Sequence, residues 1–294
     1  MQSVSIIGIG RLGGALAIAL SRAGYRVECL IYRSELGVAE IAGHISPSPY
    51  LIHFENLVEL QSDIIFITTA DQDIASVSSA IAKKIKGAPI VFHTSGSLSA
   101  EILETLTETG CRFGSLHPLI SISDPIRGGE RFAGAYFCVE GDNDSVAAAN
   151  KIVASLGGNA FPVETKFKTL YHAAAVTSSG HLVALIDVAT ELLSKCGVER
   201  GDAQQILLPL IRSTVENLEF QSTGQALTGP YARGDFSAFE RHLDTLSNSD
   251  LKDEIQIYLE LANRSMDLSD RVNGETDEGR KIRDGIKFAL RSCK

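Results

Sequence analysis

The sequence predicts an α/β domain with a doubly wound, mostly parallel sheet, followed by an all-helical domain. Three observations carry that prediction. Residues 4–34 read as strand, glycine turn, helix and strand; short Val/Ile-rich runs then alternate with helical patterns; and past about residue 164 the strand signal stops. Such alternation puts helices on both faces of a parallel sheet and ligands at the carboxyl ends of its strands. A chain of 294 residues suits two domains, here 1–163 and 164–294.

Taken in order, the predicted strands are 3–8, 26–32, 63–68, 89–93, 112–115, 135–140 and 159–163, with helices at 72–85, 98–108 and 143–156. Lys166 to Cys196 reads as one long helix, and further helical patterns occupy 199–222, 235–247, 249–269 and 276–292. Gly224, Gly229 and Pro230 mark a loop between two of them. The net charge of −9 argues against nucleic acid or an anionic membrane as partner. Five cysteines, at 29, 111, 138, 196 and 293, include no C-x-x-C pair, which fits reduced thiols in a cytoplasmic protein. The seven histidines show no metal-ligand spacing, so no metal is expected.

The first segment carries the most chemistry. Gly8-x-Gly10-x-x-Gly13 stands between a Val/Ile run and an alanine-rich helix, the context a dinucleotide site requires. Gly8 allows the tight turn, Gly10 lets backbone approach a pyrophosphate, and Gly13 lets the helix pack on the strand. The helix start at Arg11, Leu12 and Gly13 offers free N–H groups and a positive dipole end to phosphate. Twenty positions past Gly13 stands Arg33, followed by Ser34, both able to bond a 2′-phosphate. Glu28, roughly 17 Å away at strand rise, is badly placed for the ribose, so NADP is favoured over NAD. The spacing of Gly10 and Gly14 also matches a membrane-helix dimer motif, but Arg11 interrupts a run already too short to span a bilayer. No signal peptide and no later membrane span is expected.

Other segments offer candidate partners for cofactor and substrate. Thr69 and Ala70 end a strand where ribose and nicotinamide would lie, with Asp71 or Asp73 as helix cap. The stretch His93-Thr94-Ser95-Gly96-Ser97 places hydroxyls at a strand end; Ser97 or Ser99 caps a helix and Ser95 is aimed at substrate. His117, held extended by Pro118, is a candidate general acid. In the long helix, Lys168, His172 and Ser179 share one face, while Tyr171, Ser178 and His181 share another. The ammonium would keep His172 neutral. Arg233, in the loop Thr228–Asp235, could clamp a carboxylate bidentately.

Together, Gly8–Gly13, His117-Pro118, Tyr171-His172-Ala173 and Thr228–Asp235 resemble a family of Rossmann-like proteins whose second half is a helical domain of unknown function. The resemblance implies a fold akin to 6-phosphogluconate dehydrogenase, with a C-terminal domain of that enzyme's type, and to pyrroline-5-carboxylate and ketopantoate reductases. It also implies a homodimer through the helical domain. Relatives carry an asparagine where this chain has Gly180, which implies a different substrate or a water in its place. The expected activity is reduction by NADPH of a small carbonyl or imine acid. A 2-oxo acid such as ketopantoate is first, and a cyclic imine such as pyrroline-5-carboxylate second. The catalytic group would be His172 or His117, with Ser95 and Lys168 orienting and Arg233 and Ser179 binding substrate. The rival expectation is a non-catalytic NADP-binding redox sensor.

Overall fold

A computed structural model describes residues 1–292. Cys293 lies outside the described residues. The chain divides into two compact units, Met1–Gly180 and His181–Lys294. The division therefore comes after the first part of the expected long helix, whereas the last strand ends close to residue 163.

The first unit is built on one eight-stranded sheet. In chain order its elements are β1 (Ser3–Ile7), α1 (Arg11–Arg22), β2 (Arg26–Tyr32), α2 (Val38–Gly43), β3 (Tyr50–His53), β4 (Ile64–Ile67), α3 (Asp71–Ala82), β5 (Ile90–His93), β6 (Arg112–Pro118), α4 (Pro125–Gly128), β7 (Tyr136–Gly141), α5 (Asn143–Ser155), β8 (Asn159–Pro162) and α6 (Lys168–Ser178). The strand order is β3-β2-β1-β4-β5-β6-β7-β8. Every pairing is parallel except β6 with β7. The chain leaves β3 at one edge and returns beside β1 as β4, so the order reverses between β1 and β4. A crevice at the carboxyl ends of the strands opens at such a point. β1 and β4 are buried along their whole length, because helices cover both faces. Ile6, Leu16, Leu20 and Phe66 form the core on one side, and Ile65, Ile74, Val77 and Leu103 that on the other.

Several expectations shift. β3 was not predicted, since four residues bounded by loops leave too short an alternation to register. His117 and Pro118 are the last two residues of β6 rather than part of the turn after it. The helix expected at 98–108 is a 3-10 helix, Ala100–Thr109, and Ser99 precedes it without a side-chain cap bond. Neither Asp71 nor Asp73 is a cap: Ala70 holds that position, and both acids fall in the first turn of α3, where they complement the helix dipole.

The second unit is helical: α7 (Gly180–Ser194), α8 (Arg200–Phe220), α9 (Thr223–Ala226), α10 (Pro230–Arg233), α11 (Phe236–Ser247), α12 (Lys252–Asn273) and α13 (Asp277–Ser292). Its core is Phe239, Leu259, Met266, Ile282 and Ile286, supplied by the apolar stripes of the last three helices. The long helix expected from Lys166 to Cys196 breaks at Ser179, whose backbone (φ −124°, ψ −73°) leaves the helical region. Contrary to expectation, the run Thr165–Ser194 is long and apolar enough to cross a membrane by length and composition, with a mean hydropathy of 1.3 and 6% of that window buried. Cys29, Cys111, Cys138 and Cys196 are free thiols, of which Cys196 is exposed.

Candidate functional site

The glycine turn follows β1 directly. Gly8 has φ +101°, and an added Cβ would lie 2.9 Å from the Thr68 carbonyl carbon and the Thr69 nitrogen. Its N–H donates to the Ile31 carbonyl at 2.8 Å, and its own carbonyl accepts from Thr68 Oγ1 at 2.6 Å. A Cβ on Gly13 would fall on the Gly8 carbonyl oxygen and on Thr68 Oγ1, so α1 presses on the loop only as glycine. A Cβ on Gly10 would meet nothing within 4 Å. Gly10 caps α1 without a side-chain bond, which leaves the first N–H groups of the helix for an anion.

A cavity of about 300 Å³ opens from this turn, lined among others by Gly8, Gly10, Thr69, Ala70, Arg33 and Ser34. Thr69 Oγ1 is buried there with no hydrogen-bond partner. An open glycine, an uncapped helix start and an orphaned hydroxyl fit the pyrophosphate of a dinucleotide. Arg11 and Leu12 do not line the cavity: Arg11 is exposed and Leu12 packs on the core. At the far end the Arg33 guanidinium lies over Phe54, 5.1 Å from the ring centre, with Nη1 3.3 Å from Asp73 Oδ1. Ser34 is exposed beside it, its Oγ accepting from Leu36 N–H at 3.4 Å.

The next strands along the same carboxyl edge bring three histidines into play. His93 is fully buried; Nδ1 accepts from Ser95 N–H at 3.1 Å and Nε2 donates to the Ser99 carbonyl at 3.0 Å. Burial, then the Lys168 ammonium, lowers its pKa to about 4, so it is a neutral clamp on the loop after β5. Ser95 does not point outward as expected. Its Oγ accepts from the N–H groups of Ser97 and Leu98, each at 3.1 Å, closing the turn. Ser97 is not a cap either; its hydroxyl donates to Asp71 Oδ2 at 2.6 Å and ties this loop to the start of α3.

Gly96 lies where two rings converge. A Cβ there would be 2.7 Å from His172 Cδ2 and 2.8 Å from His117 Nε2. The two rings meet edge to face, their centres 6.0 Å apart. His117 Nδ1 is 2.6 Å from the Tyr171 hydroxyl. Burial, then Cys138, raises the Tyr171 pKa, so the tyrosine keeps its proton. Burial, followed by Lys168 and His172, lowers the His117 pKa to about 4. His172 is half-buried and makes no hydrogen bond among the described residues.

Lys168 is not placed to touch substrate. It is 1% exposed; its Nζ donates to Ser115 Oγ at 2.7 Å and lies 3.3 Å from Glu140 Oε2. That carboxylate oxygen is close enough for an ion pair but lacks hydrogen-bond geometry, while Oε1 accepts from Thr165 Oγ1 at 2.9 Å. Ser115 Oγ in turn donates to the Ser95 carbonyl at 3.4 Å. Lys168 is thus a buried strut whose charge acts on His93 and His117. The two helix faces expected here are one, because Lys168, Tyr171 and His172, at i, i+3 and i+4, all turn toward the sheet. Ser179 is exposed, its hydroxyl bonded back to the Ala175 carbonyl at 2.8 Å. Arg233 belongs to the second unit, exposed at the end of α10 between Gly229 (φ +85°) and Gly234 (φ +64°).

Sequence reasoning missed Phe54 and the partners Asp73 and Glu140. Phe54 follows the unpredicted β3, and an ion pair between residues 40 positions apart (Arg33 and Asp73) has no local signal. Tyr171 stood in the motif, and its i+3 spacing from Lys168 was the signal for a shared face.

Residues 1–118 match the model of a Rossmann-like domain, and residues 135–265 match a domain of unknown function, DUF2520. No curated protein matches the chain. Among solved structures, a candidate NADP oxidoreductase of Bacteroides fragilis is 22% identical with a TM-score of 0.74, over 90% of this chain and 98% of that one. A Thermotoga maritima protein is 21% identical with a TM-score of 0.73, over 91% and 99%. The pyrroline carboxylate reductase of Plasmodium falciparum, solved with NADP bound, is 16% identical with a TM-score of 0.56, over 91% and 98%. At these identities the likeness is one of fold.

Proposed function

We propose that this chain, a Rossmann-like domain joined to a DUF2520 domain, is an NADP(H)-dependent oxidoreductase that reduces a small carbonyl or imine acid. The observation that carries the reading is the cradle at Gly10, open beside the orphaned Thr69 hydroxyl and closed at its far end by Arg33. The fold it shares with an NADP-bound reductase supports it. NADPH held there supplies a hydride to the substrate carbon. The chain's own part is to hold the pyrophosphate on the α1 N-terminus and a 2′-phosphate on Arg33 and Ser34. His172 donates the proton taken up by the reduced oxygen or nitrogen. Neutral His117, bonded to the Tyr171 hydroxyl, lies beside it. The free thiols fit a reducing, cytoplasmic setting.

Thermal unfolding with NADPH, NADP⁺, NADH and NAD⁺ side by side tests the cofactor. A ligand at a hundred times its dissociation constant stabilises by about 2.7 kcal/mol, and the NADP pair should do so selectively. Arg33→Asp should weaken NADPH far more than NADH. Stabilisation by none of the four would remove the oxidoreductase reading.

Screening 2-oxo acids, ketopantoate first, and then cyclic imines by loss of NADPH absorbance identifies the substrate. With it, His172→Ala should lower turnover about a hundredfold or more while leaving NADPH affinity unchanged. Unaltered turnover would hand the proton to another group. The partner proposed for the exposed Leu182, Val183, Leu185, Ile206, Leu210 and Leu218 of α7 and α8 is a second copy of the chain. Light scattering should therefore give twice 31.5 kDa; a monomer mass would exclude the dimer.

A further inference from the structure

The far end of the cavity holds a negative charge that the reading above leaves without a task. Asp73, in the first turn of α3, lines the cavity with Arg33, Ser34 and Phe54. Its carboxylate oxygen is 3.3 Å from Arg33 Nη1, and the two side chains are 53% and 31% exposed for Arg33 and Asp73. Arg33 is held from other directions as well. Its guanidinium lies over the Phe54 ring at 5.1 Å, and its carbonyl accepts from His53 Nε2 at 3.1 Å. The guanidinium is therefore held by Phe54 and Asp73, and one edge of its fork is already engaged by a carboxylate.

We propose that Asp73 is a specificity-determining residue of the nucleotide site. By pairing with Arg33 it restrains the preference for an adenine nucleotide bearing a 2′-phosphate over one with a free 2′-hydroxyl. The inference rests on the reading of this cavity as the nucleotide site. The effect is electrostatic. A phosphate dianion taken up by Arg33 comes within one guanidinium width of the Asp73 carboxylate, and like charges at that separation repel appreciably at a half-exposed site. A free ribose hydroxyl brings no such charge. Phe54 already lies against the guanidinium, so the carboxylate is not required to hold it in place.

The test is calorimetric titration of the full chain and of Asp73→Asn with NADPH, NADH, 2′,5′-ADP and 5′-AMP, at low and high salt. Asp73→Asn should tighten NADPH and 2′,5′-ADP about threefold to tenfold at low salt, with a smaller gain at high salt. NADH and 5′-AMP should stay within about twofold, since they bring no 2′-phosphate to Arg33. Asp73→Ser, a second neutral variant, should show the same gain, and the melting temperature of each unliganded variant reports whether it is folded. Weaker binding of NADPH by both variants would overturn the proposal and make Asp73 an orienting partner of Arg33. Equal changes for NADPH and NADH would overturn it too. If the unaltered chain binds NADPH and the variants match it, this inference alone fails. If the unaltered chain binds none of the four ligands, the nucleotide reading fails and the inference falls with it.

Discussion

Replacing Lys168 by Met is expected to lower the free energy of unfolding by about 3–5 kcal/mol, the cost of breaking a buried ion pair from one side. The methionine fills nearly the same space, so the loss is electrostatic rather than steric. Glu140, its side chain 12% exposed, would lose the cation beside it, and Ser115 would lose the donor on its hydroxyl. Urea unfolding of the single variant, of Glu140→Gln and of the double variant measures this. The double variant should be less destabilised than the sum of the singles, because the stranded charge is gone. A loss below about 1 kcal/mol for Lys168→Met would mean that the pair acts as a surface salt bridge. The same variant should let His93 and His117 titrate at higher pH, since the buried ammonium is the second cause holding both down.

Acid is expected to destabilise the protein well before its carboxylates titrate. His93 and His117 have pKa values lowered to about 4 from 6.5, in each case chiefly by burial. Above the unfolded value both states are neutral, and stability does not depend on these rings. As pH falls from 6.5 toward 4, the unfolded chain takes up protons that the folded chain refuses, so stability drops throughout that window and levels off below it. A gap of that size corresponds to about 3 kcal/mol for each ring. Asp63 and Asp142 have lowered pKa values, through hydrogen bonds from Ser3 and Ser145. Their contributions are lost only at still lower pH, which leaves the upper window to the histidines. Urea midpoints at pH 7.5, 6, 5 and 4 check this, and a constant midpoint down to pH 5 would contradict the burial of the two rings. The carbonyl of Ser99, the hydroxyl of Tyr171 and the edge of Gly96 all lie against rings that work as neutral groups. His93 and His117 therefore serve as hydrogen-bonding, uncharged imidazoles at neutral pH.

The sequence by itself determined the glycine turn, because two of its glycines answer a steric demand and the third leaves space for a ligand. Gly8 needs a positive φ, Gly13 has a neighbour's carbonyl where a side chain would be, and Gly10 faces open space. It determined the strand-and-helix alternation for the same reason, since period and β-branching act within a few residues. The placement of His117 beside His172 was only half legible: each sat in a recognisable motif, but nothing local says that residues 55 positions apart converge on Gly96. Tertiary structure alone decided what the charged candidates do. Lys168 and His172, one helical turn apart, differ in that the first is sealed against Glu140 while the second reaches the edge of the sheet. Arg33 acquired Asp73 and Phe54 from two other segments. Pairing, burial and the electrostatics that follow from them depend on distances through space, and a chain read in order carries no direct measure of those distances.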